Sequence, residues 1–398
     1  MATITAVSSP FSARLNRIEV SATIAMTAEA AKLRAKGVDL CDLGMGEPHF
    51  NTPRHIKDAG IAAIEQNFTK YTAVGGIPEL RKAIVNRHAA DFASDYKPDE
   101  AAASTGGKQA LFNAVQVLVD HGDEVIIPVP YWVSFKDIVE YAGGKCVYVN
   151  ADEEQDFRLT AKMIERAITS RTKAIILNTP CNPSGAVMNP DDLREVVTMA
   201  ARRGIYVISD ECYVYLNFTG DVQSAGSIRE AREHLVIIGS LSKTYAMTGW
   251  RSGYALGPAP VIAQINKLQS QSTSNPASMV QKAAVAALEG PQDCIAEFRT
   301  DYIRLRDQVL ADLGKIPGIR CAKPEGAFYV YPNVSAYIGR SGLKSSSDIA
   351  NRLLHEAHIV TVPGEGFGTH EHVRLSYATS APILTEALQR MKNFFASV

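Results

Sequence analysis

Four apolar runs, Glu124 to Ile127, Lys145 to Val149, Lys173 to Leu177 and Ile205 to Ser209, recur with helical or loop sequence between them, and Leu235 to Ile238 adds a fifth. Short runs that alternate with helical segments predict βαβ units and a mostly parallel sheet, flanked by helices and buried on both faces. Such a sheet takes its ligands beyond the carboxyl ends of its strands. Several of these runs end in groups capable of chemistry. Pro130-Tyr131-Trp132 lies after the first, the segment Asn178 to Gly185 after the third, and Asp210 with Tyr213 after the fourth. In a parallel sheet all of these tips share one rim.

The fifth run opens into Gly239-Ser240-Leu241-Ser242-Lys243, with Arg251 eight positions beyond the lysine. A lysine partly desolvated at a strand tip can lose its proton and attack a carbonyl. Ser240 and Arg251 offer an anion cup beside it. A second part of that cup is suggested where Ala101 to Ser104, a strand candidate, runs into Thr105-Gly106-Gly107-Lys108 and then helical sequence from Gln109 to Val119. Glycines at a helix start let backbone N–H groups approach an anion. Taken singly these signals are weak, because a lone lysine is mostly a surface residue and a Gly-Gly pair is mostly a plain turn. Together they describe a Schiff-base lysine beside a phosphate site, which is what holding pyridoxal phosphate requires.

Bulk properties exclude several other classes. With 41 basic and 42 acidic residues and no charge block, nothing calls for nucleic acid or an anionic membrane. No apolar run approaches membrane-spanning length and no secretory signal opens the chain, so the cytoplasm is the expected compartment. The six cysteines are scattered without a CxxC pair, which fits free thiols in a reducing compartment. Gly44-Met45-Gly46 is followed by Pro48 and lacks a third glycine, so it is not a dinucleotide fingerprint. His355-Glu356-Ala357-His358 and His370-Glu371-His372 lack the spacing that sets two imidazoles on one helical face, and no metal is expected.

At 398 residues the chain suits two domains. Residues 1 to about 13 read as a loose end. Residues 1–50 are expected to join a smaller α+β domain over 291–398, with the large domain over 51–290. Helices are expected over Ser21 to Lys36, Pro53 to Gln66, from Pro78, over Val261 to Leu268, Ala277 to Leu288 and Asp293 to Leu313. Strands are expected near Gly326 to Val330 and Val373 to Tyr377.

Across these segments the chain resembles a class I aminotransferase of the pyridoxal-phosphate-dependent aspartate aminotransferase superfamily, fold type I, and within it the bacterial aspartate/prephenate subgroup. The resemblance is carried by SATIAM, GMGEPHFNTP, KYTAVGGIPELR, TGGKQALFN, PYWVSF, NTPCNPSGAV, SDECY, SLSKTYAMTGWRSGYALGP, PEGAFYVYP and VRLSYATS, in order along nearly the whole chain. It implies that Lys243 holds the cofactor and shuttles a proton. It implies that Asp210 keeps the pyridine nitrogen protonated, and that Tyr213 and Asn182 bond the phenolic oxygen. Ser240, Arg251, Gly107 and Lys108 form the phosphate cup, and Trp132 stacks on the ring. Tyr71 reaches the phosphate in the neighbouring subunit of a homodimer with shared sites. Arg374 grips the substrate α-carboxylate with help from Gly46, and substrate draws the small domain inward. Lys108 and Thr23 are associated in the subgroup with dicarboxylic substrates. The implied reaction moves the amino group of L-aspartate to 2-oxoglutarate by a ping-pong mechanism. The alternatives are a prephenate aminotransferase forming arogenate, or an aminotransferase or β-lyase acting on aromatic or other substrates.

Overall fold

The protein is described from a computed structural model covering residues 11–220 and 223–398, the side chain of Ala22 excepted. The loose end expected over residues 1 to about 13 falls largely outside the described residues. Seven strands form the main sheet: β1 (Ala101–Ser104), β2 (Glu124–Val129), β3 (Lys145–Asn150), β4 (Thr172–Asn178), β5 (Tyr206–Asp210), β6 (Leu235–Ser240) and β7 (Gly253–Leu256). Their order is β1-β7-β6-β5-β4-β2-β3. All neighbours pair in parallel except β7, which runs antiparallel to both β1 and β6. Parallel pairing needs a long crossover. Between β6 and β7 the chain instead folds over the sheet rim and returns directly beside the strand it left.

Alternate residues of the central strands feed two separate apolar clusters. Ile175, Leu177, Val207, Leu235 and Ile237 pack on one face. Ala174, Ile176, Ile208, Val236 and Ile238 pack on the other. Period-two alternation with apolar residues at every position is the signature of a sheet covered on both sides. Each fully buried Val, Leu or Ile side chain contributes roughly 1.5–3 kcal/mol relative to exposure. The register sets Asn178 beside Asp210 and Asp210 beside Ile238, so β4 and β5 finish at one level and β6 runs two residues further, to Ser240.

The expected helices are present with ends shifted by a residue or two, and Asp293–Leu313 spans the expected range. The helix expected from Gln109 begins at Gly107. A third apolar cluster gathers Phe298, Tyr302, Leu375 and Leu384 from the C-terminal part, together with Cys41 and Leu43. The link is a short parallel pairing of Cys41–Asp42 with Ile359–Val360. Short antiparallel strands Tyr329–Val330, Val362–Pro363 and Val373–Ser376 complete this lobe. The strand expected from Gly326 starts only at Tyr329. Upstream, the N–H groups of Gly326 and Ala327 donate instead to Gly185 and Leu216 on the far side of the site, at 2.9 Å each.

Behind the rim, Glu211 anchors the chain that leaves β5. Its N–H donates to the Ile238 carbonyl at 2.9 Å, and its Oε1 accepts from Ser209 Oγ and Ala225 N–H, each at 2.9 Å. Ser224, which caps the turn Ala225–Ser227, meets His88 Nε2 at 3.1 Å, and His88 Nδ1 meets Ser94 Oγ at 2.7 Å. A neutral imidazole satisfies both contacts, donating through one nitrogen and accepting through the other. Burial pushes the His88 pKa down to about 3. The unfolded imidazole binds a proton near its ordinary value and the folded one does not, so this contribution to stability is complete above about pH 6.5 and is lost as pH falls. His88→Gln is expected to remove that sensitivity. The wild type should lose on the order of 2 kcal/mol more than the variant between pH 8 and pH 5, measured by urea unfolding.

Candidate active site

The rim of the sheet opens into a cavity of about 340 Å³. Its walls carry every site residue expected from the sequence except one: Thr23, Gly46, Gly107, Lys108, Trp132, Asn182, Asp210, Tyr213, Ser240, Lys243, Arg251 and Arg374. Tyr71 is not among the lining residues, and its side chain is 90% exposed.

Lys243 sits in a single-turn helix, Leu241–Thr244, directly after β6, and Ser240 caps that turn by accepting from Ser242 N–H at 3.2 Å. The lysine ammonium donates to the Gly46 carbonyl and lies 5.9 Å from the Phe328 ring centre. Desolvation lowers its pKa to about 8, with Arg374 and Arg251 pushing the same way against Cys212 and Glu47. Asp210, at the end of β5, is 4% exposed and accepts from Cys212 N–H at 3.1 Å through Oδ1. Burial raises its pKa, opposed by the Cys212 hydrogen bonds and by Lys243. A cation placed against Asp210 would restore the ionised form that burial disfavours.

The anion cradle is built from absences. Gly106 has φ +86° and caps the helix Gly107–Leu118, whose N-terminus has no side-chain cap. A Cβ on Gly106 would come 2.6 Å from Arg251 Nη2, and one on Gly107 would come 3.0 Å from Cys212 Sγ and 3.1 Å from Ser240 Cβ. The guanidinium of Arg251 therefore lies against bare backbone at the start of a helix. Uncapped N–H groups, the helix dipole and a fork-shaped cation together suit a phosphate. Arg251 is itself held at φ 54°, with Nη1 donating to the Thr248 carbonyl at 2.9 Å.

Arg374 comes from the second lobe and is 2% exposed. Nη1 donates to Asn182 Oδ1 at 3.0 Å and Nη2 to the Gly44 carbonyl at 2.6 Å. The guanidinium carbon lies 4.5 Å from the Tyr329 ring centre and 5.1 Å from that of Phe367. Its Nε is buried without a partner. A buried, permanently charged group with no carboxylate beside it is costly unless an anion arrives to meet it. At the mouth, exposed Lys108 places its ammonium 4.8 Å over the Trp132 ring, and Thr23 stands in the first turn of the helix Ala22–Ala35.

Three contributors escape the sequence reading. Tyr329 places its hydroxyl 2.7 Å from that of Tyr213. Nothing in an aromatic strand residue distinguishes this role from core packing. The Gly44 carbonyl has no sequence signal at all. Asn178 ties the floor together: its Nδ2 donates to the Asp210 carbonyl at 3.0 Å and its Oδ1 accepts from Asn182 N–H at 2.8 Å. Its one signal was a polar residue closing an otherwise apolar run.

An amine and an acid buried together beside a cradle for an anion are what a phosphorylated pyridine aldehyde needs. The residues fit pyridoxal phosphate, and the fold that carries them is that of the pyridoxal-phosphate-dependent transferases of fold type I. More narrowly, the chain belongs to the aminotransferase class I and II family, whose profile matches residues 38–391. It is 41% identical over 383 residues to an aspartate aminotransferase of Bacillus sp. (strain YM-2), covering 96% of this chain and 98% of that one. It is 42% identical over 395 residues to an aspartate/prephenate aminotransferase of Nitrosomonas europaea, covering 97% and 99%. The aspartate aminotransferase of Thermus thermophilus with maleate superposes with a TM-score of 0.92 at 40% identity, over 97% of this chain and 100% of that one. The aspartate aminotransferase of Rhizobium meliloti gives 0.93 at 40% identity, over 98% and 99%.

Gly106→Ala should weaken cofactor binding at least tenfold in equilibrium dialysis, because the methyl meets Arg251 and the residue resists positive φ. Gly204→Ala, also at positive φ but with open space around it, is the control expected to leave cofactor affinity unchanged.

Proposed function

We propose that this aminotransferase moves the amino group of L-aspartate to 2-oxoglutarate, giving oxaloacetate and L-glutamate, with the two substrates taking turns in one cavity. The observation that carries the reading is the pair of cations in that cavity. Arg374 is buried and pre-tied, whereas Lys108 is exposed at the mouth, so a substrate with two carboxylates meets a charge at each. An apolar side chain would leave the Lys108 ammonium without an anion. The likeness to aspartate aminotransferases supports the same choice. Prephenate is the second reading, because it too carries two carboxylates and a relative is named for both activities.

When bound, pyridoxal phosphate supplies a carbonyl for the amine and a ring that accepts electrons. The rest falls to the chain's own residues. Ser240, Arg251 and the N–H groups of Gly107 and Lys108 would hold the phosphate end. Asp210 would keep the ring nitrogen protonated, and Trp132 would offer the ring an aromatic face. Tyr213 and Asn182 would donate to the phenolic oxygen, with the Tyr329 hydroxyl fixing the orientation of Tyr213. Lys243 Nζ, already brought toward neutrality by burial, takes the proton from the substrate Cα. Arg374, aided by the Gly46 backbone, grips the α-carboxylate, and Thr23 and Lys108 face the distal one.

The assembly we infer is a cytoplasmic homodimer in which Tyr71 completes the phosphate site of the partner. The exposure of Tyr71 and of Arg251 at the cavity mouth supports it, and all six cysteines are free, as a reducing compartment allows. Residues 51–290 act as the large domain, and 1–50 join 291–398 in the smaller one. The sharing of Cys41 and Leu43 with the C-terminal cluster supports that division. Because Arg374 and Lys243 come from different lobes, substrate draws the lobes together and excludes water.

Lys243→Ala should still bind the cofactor weakly but lose the absorption band of the lysine-bound form and all measurable turnover; unchanged turnover would refute the role of this amine. Lys108→Ala should lower kcat/KM for aspartate and glutamate by about tenfold or more while changing alanine and phenylalanine by less than about threefold. Equal losses for all four would remove the argument for acidic substrates.

A further inference from the structure

The run His370-Glu371-His372, which has no metal-binding spacing, leads straight into the strand Val373–Ser376 that carries Arg374. His372 is 4% exposed, and it meets Tyr331 and Asn333 of its own lobe as well as Glu153 and Phe157 of the other. After β3 the chain makes a tight turn, Glu153–Gln155, capped by Asp152 Oδ1, which accepts from Glu154 N–H at 3.0 Å. Asp156 and Phe157 then both adopt positive φ, 55° and 56°. Two successive non-glycine residues in that region are costly, and they persist only where surrounding contacts impose them.

Local backbone bonds close the turn, with Asp156 and Phe157 N–H donating to the Glu153 and Asp152 carbonyls at 2.9 and 2.8 Å, and the Glu153 and Phe157 side chains reach the second lobe. Glu153 Oε2 accepts from Asn333 Nδ2 at 2.5 Å and lies 3.3 Å from His372 Nε2 and 3.6 Å from Arg320 Nη2. The His372 approach is one of proximity and not an ion pair, since burial lowers the pKa of the ring and neither nitrogen makes a well-directed hydrogen bond. Phe157 is buried, with its ring 5.4 Å from that of His372 and 5.8 Å from that of Tyr331. His372 in turn stacks on Tyr331 at 4.7 Å and 9°, Tyr331 meets Phe367 edge-on at 5.8 Å, and Phe367 lies against the Arg374 guanidinium. Backbone pairing closes the chain of contacts, because Asn333 bridges His372 and Val334 N–H donates to the Glu371 carbonyl at 2.7 Å.

We propose that Glu153 and Phe157 are positioning residues for Arg374: they fasten the strand that grips the substrate to the turn after β3, so that the guanidinium is preset for the α-carboxylate. Neither residue lines the cavity; the aromatic contacts through His372, Tyr331 and Phe367 lead to Arg374, while Phe157 also shares a cluster with Trp132 and Val133 of the cavity wall. The inference rests on the reading of Arg374 as the α-carboxylate grip. A loosened guanidinium must be ordered by each substrate that binds. That cost falls equally on ground state and transition state, and therefore on KM rather than kcat. The α-carboxylate is common to all amino acids, so the cost is independent of the side chain.

The experiment is steady-state kinetics of the cofactor-loaded enzyme with aspartate, glutamate, alanine and phenylalanine, on Glu153→Ala, Glu153→Gln, Phe157→Leu and Arg374→Ala. Glu153→Ala should raise KM roughly three- to tenfold by the same factor for all four donors, with kcat within about twofold. Phe157→Leu should move KM in the same direction. Glu153→Gln should recover part of the loss, since its amide oxygen still accepts from Asn333. If Arg374→Ala raises KM strongly while Glu153→Ala and Phe157→Leu change only the thermal midpoint, the clasp is structural and the proposal falls. A KM change that depends on the donor side chain, or an equal fall in kcat, overturns it as well. If Arg374→Ala leaves KM unchanged, the reading of Arg374 itself fails, and the clasp with it.

Discussion

An acid and an amine taken out of water at the tips of two adjacent parallel strands set the terms for the rest of the molecule. Burial raises the pKa of Asp210 and lowers that of Lys243, so each is pushed toward its neutral form. A fold tolerates two such groups only where something else supplies the charges they lack. A bound pyridoxal phosphate would do so on the proposed reading, its ring nitrogen meeting Asp210 and its carbonyl meeting the Lys243 amine. The sheet makes the arrangement rigid, because β5 and β6 pack into a different apolar cluster on each face, and a one-residue slip would exchange every side chain between them.

The second lobe supplies what the sheet cannot. Arg374 enters from a short antiparallel strand, and among the described residues its charge is met by the dipoles of Asn182 and the Gly44 carbonyl and by aromatic faces. These partners orient the guanidinium without neutralising it, which leaves its charge for a substrate carboxylate. The two lobes are also tied at a distance from the chemistry, through the turn at Glu153 and Phe157. On the proposed reading of Arg374 as the α-carboxylate grip, its precision depends on contacts well outside the cavity, as expected where a site is assembled from two bodies.

Much of this was legible in the residues. Apolar runs at regular intervals announced a parallel sheet, because a strand buried on both faces has nowhere to put polar side chains. Lys243, Asp210 and Gly107 could be read as neighbours because each follows such a run. Arg374 and Gly46 were reached only through the resemblance, since no local pattern connects positions more than a hundred residues from the lysine. Other features were hidden. The antiparallel direction of β7 depends on the return path of the rim loop. The shortened strand near Tyr329 reflects N–H groups committed to Gly185 and Leu216 across the site. Asn178 looked like the end of a strand and proved to hold Asp210 and Asn182 together.

The chain's own order of residues determined the class of fold, the place of the reactive lysine at a strand tip and the glycines that leave room for a phosphate. Those properties follow from local rules of period, backbone freedom and strand termination, which act within a dozen residues. Tertiary structure decided which groups are desolvated together, which hydroxyl stands against Tyr213, and how Arg374 is held from behind by aromatic rings and a distant glutamate. Those are matters of distance between segments far apart in the chain, and burial and Coulomb energies depend on that distance alone.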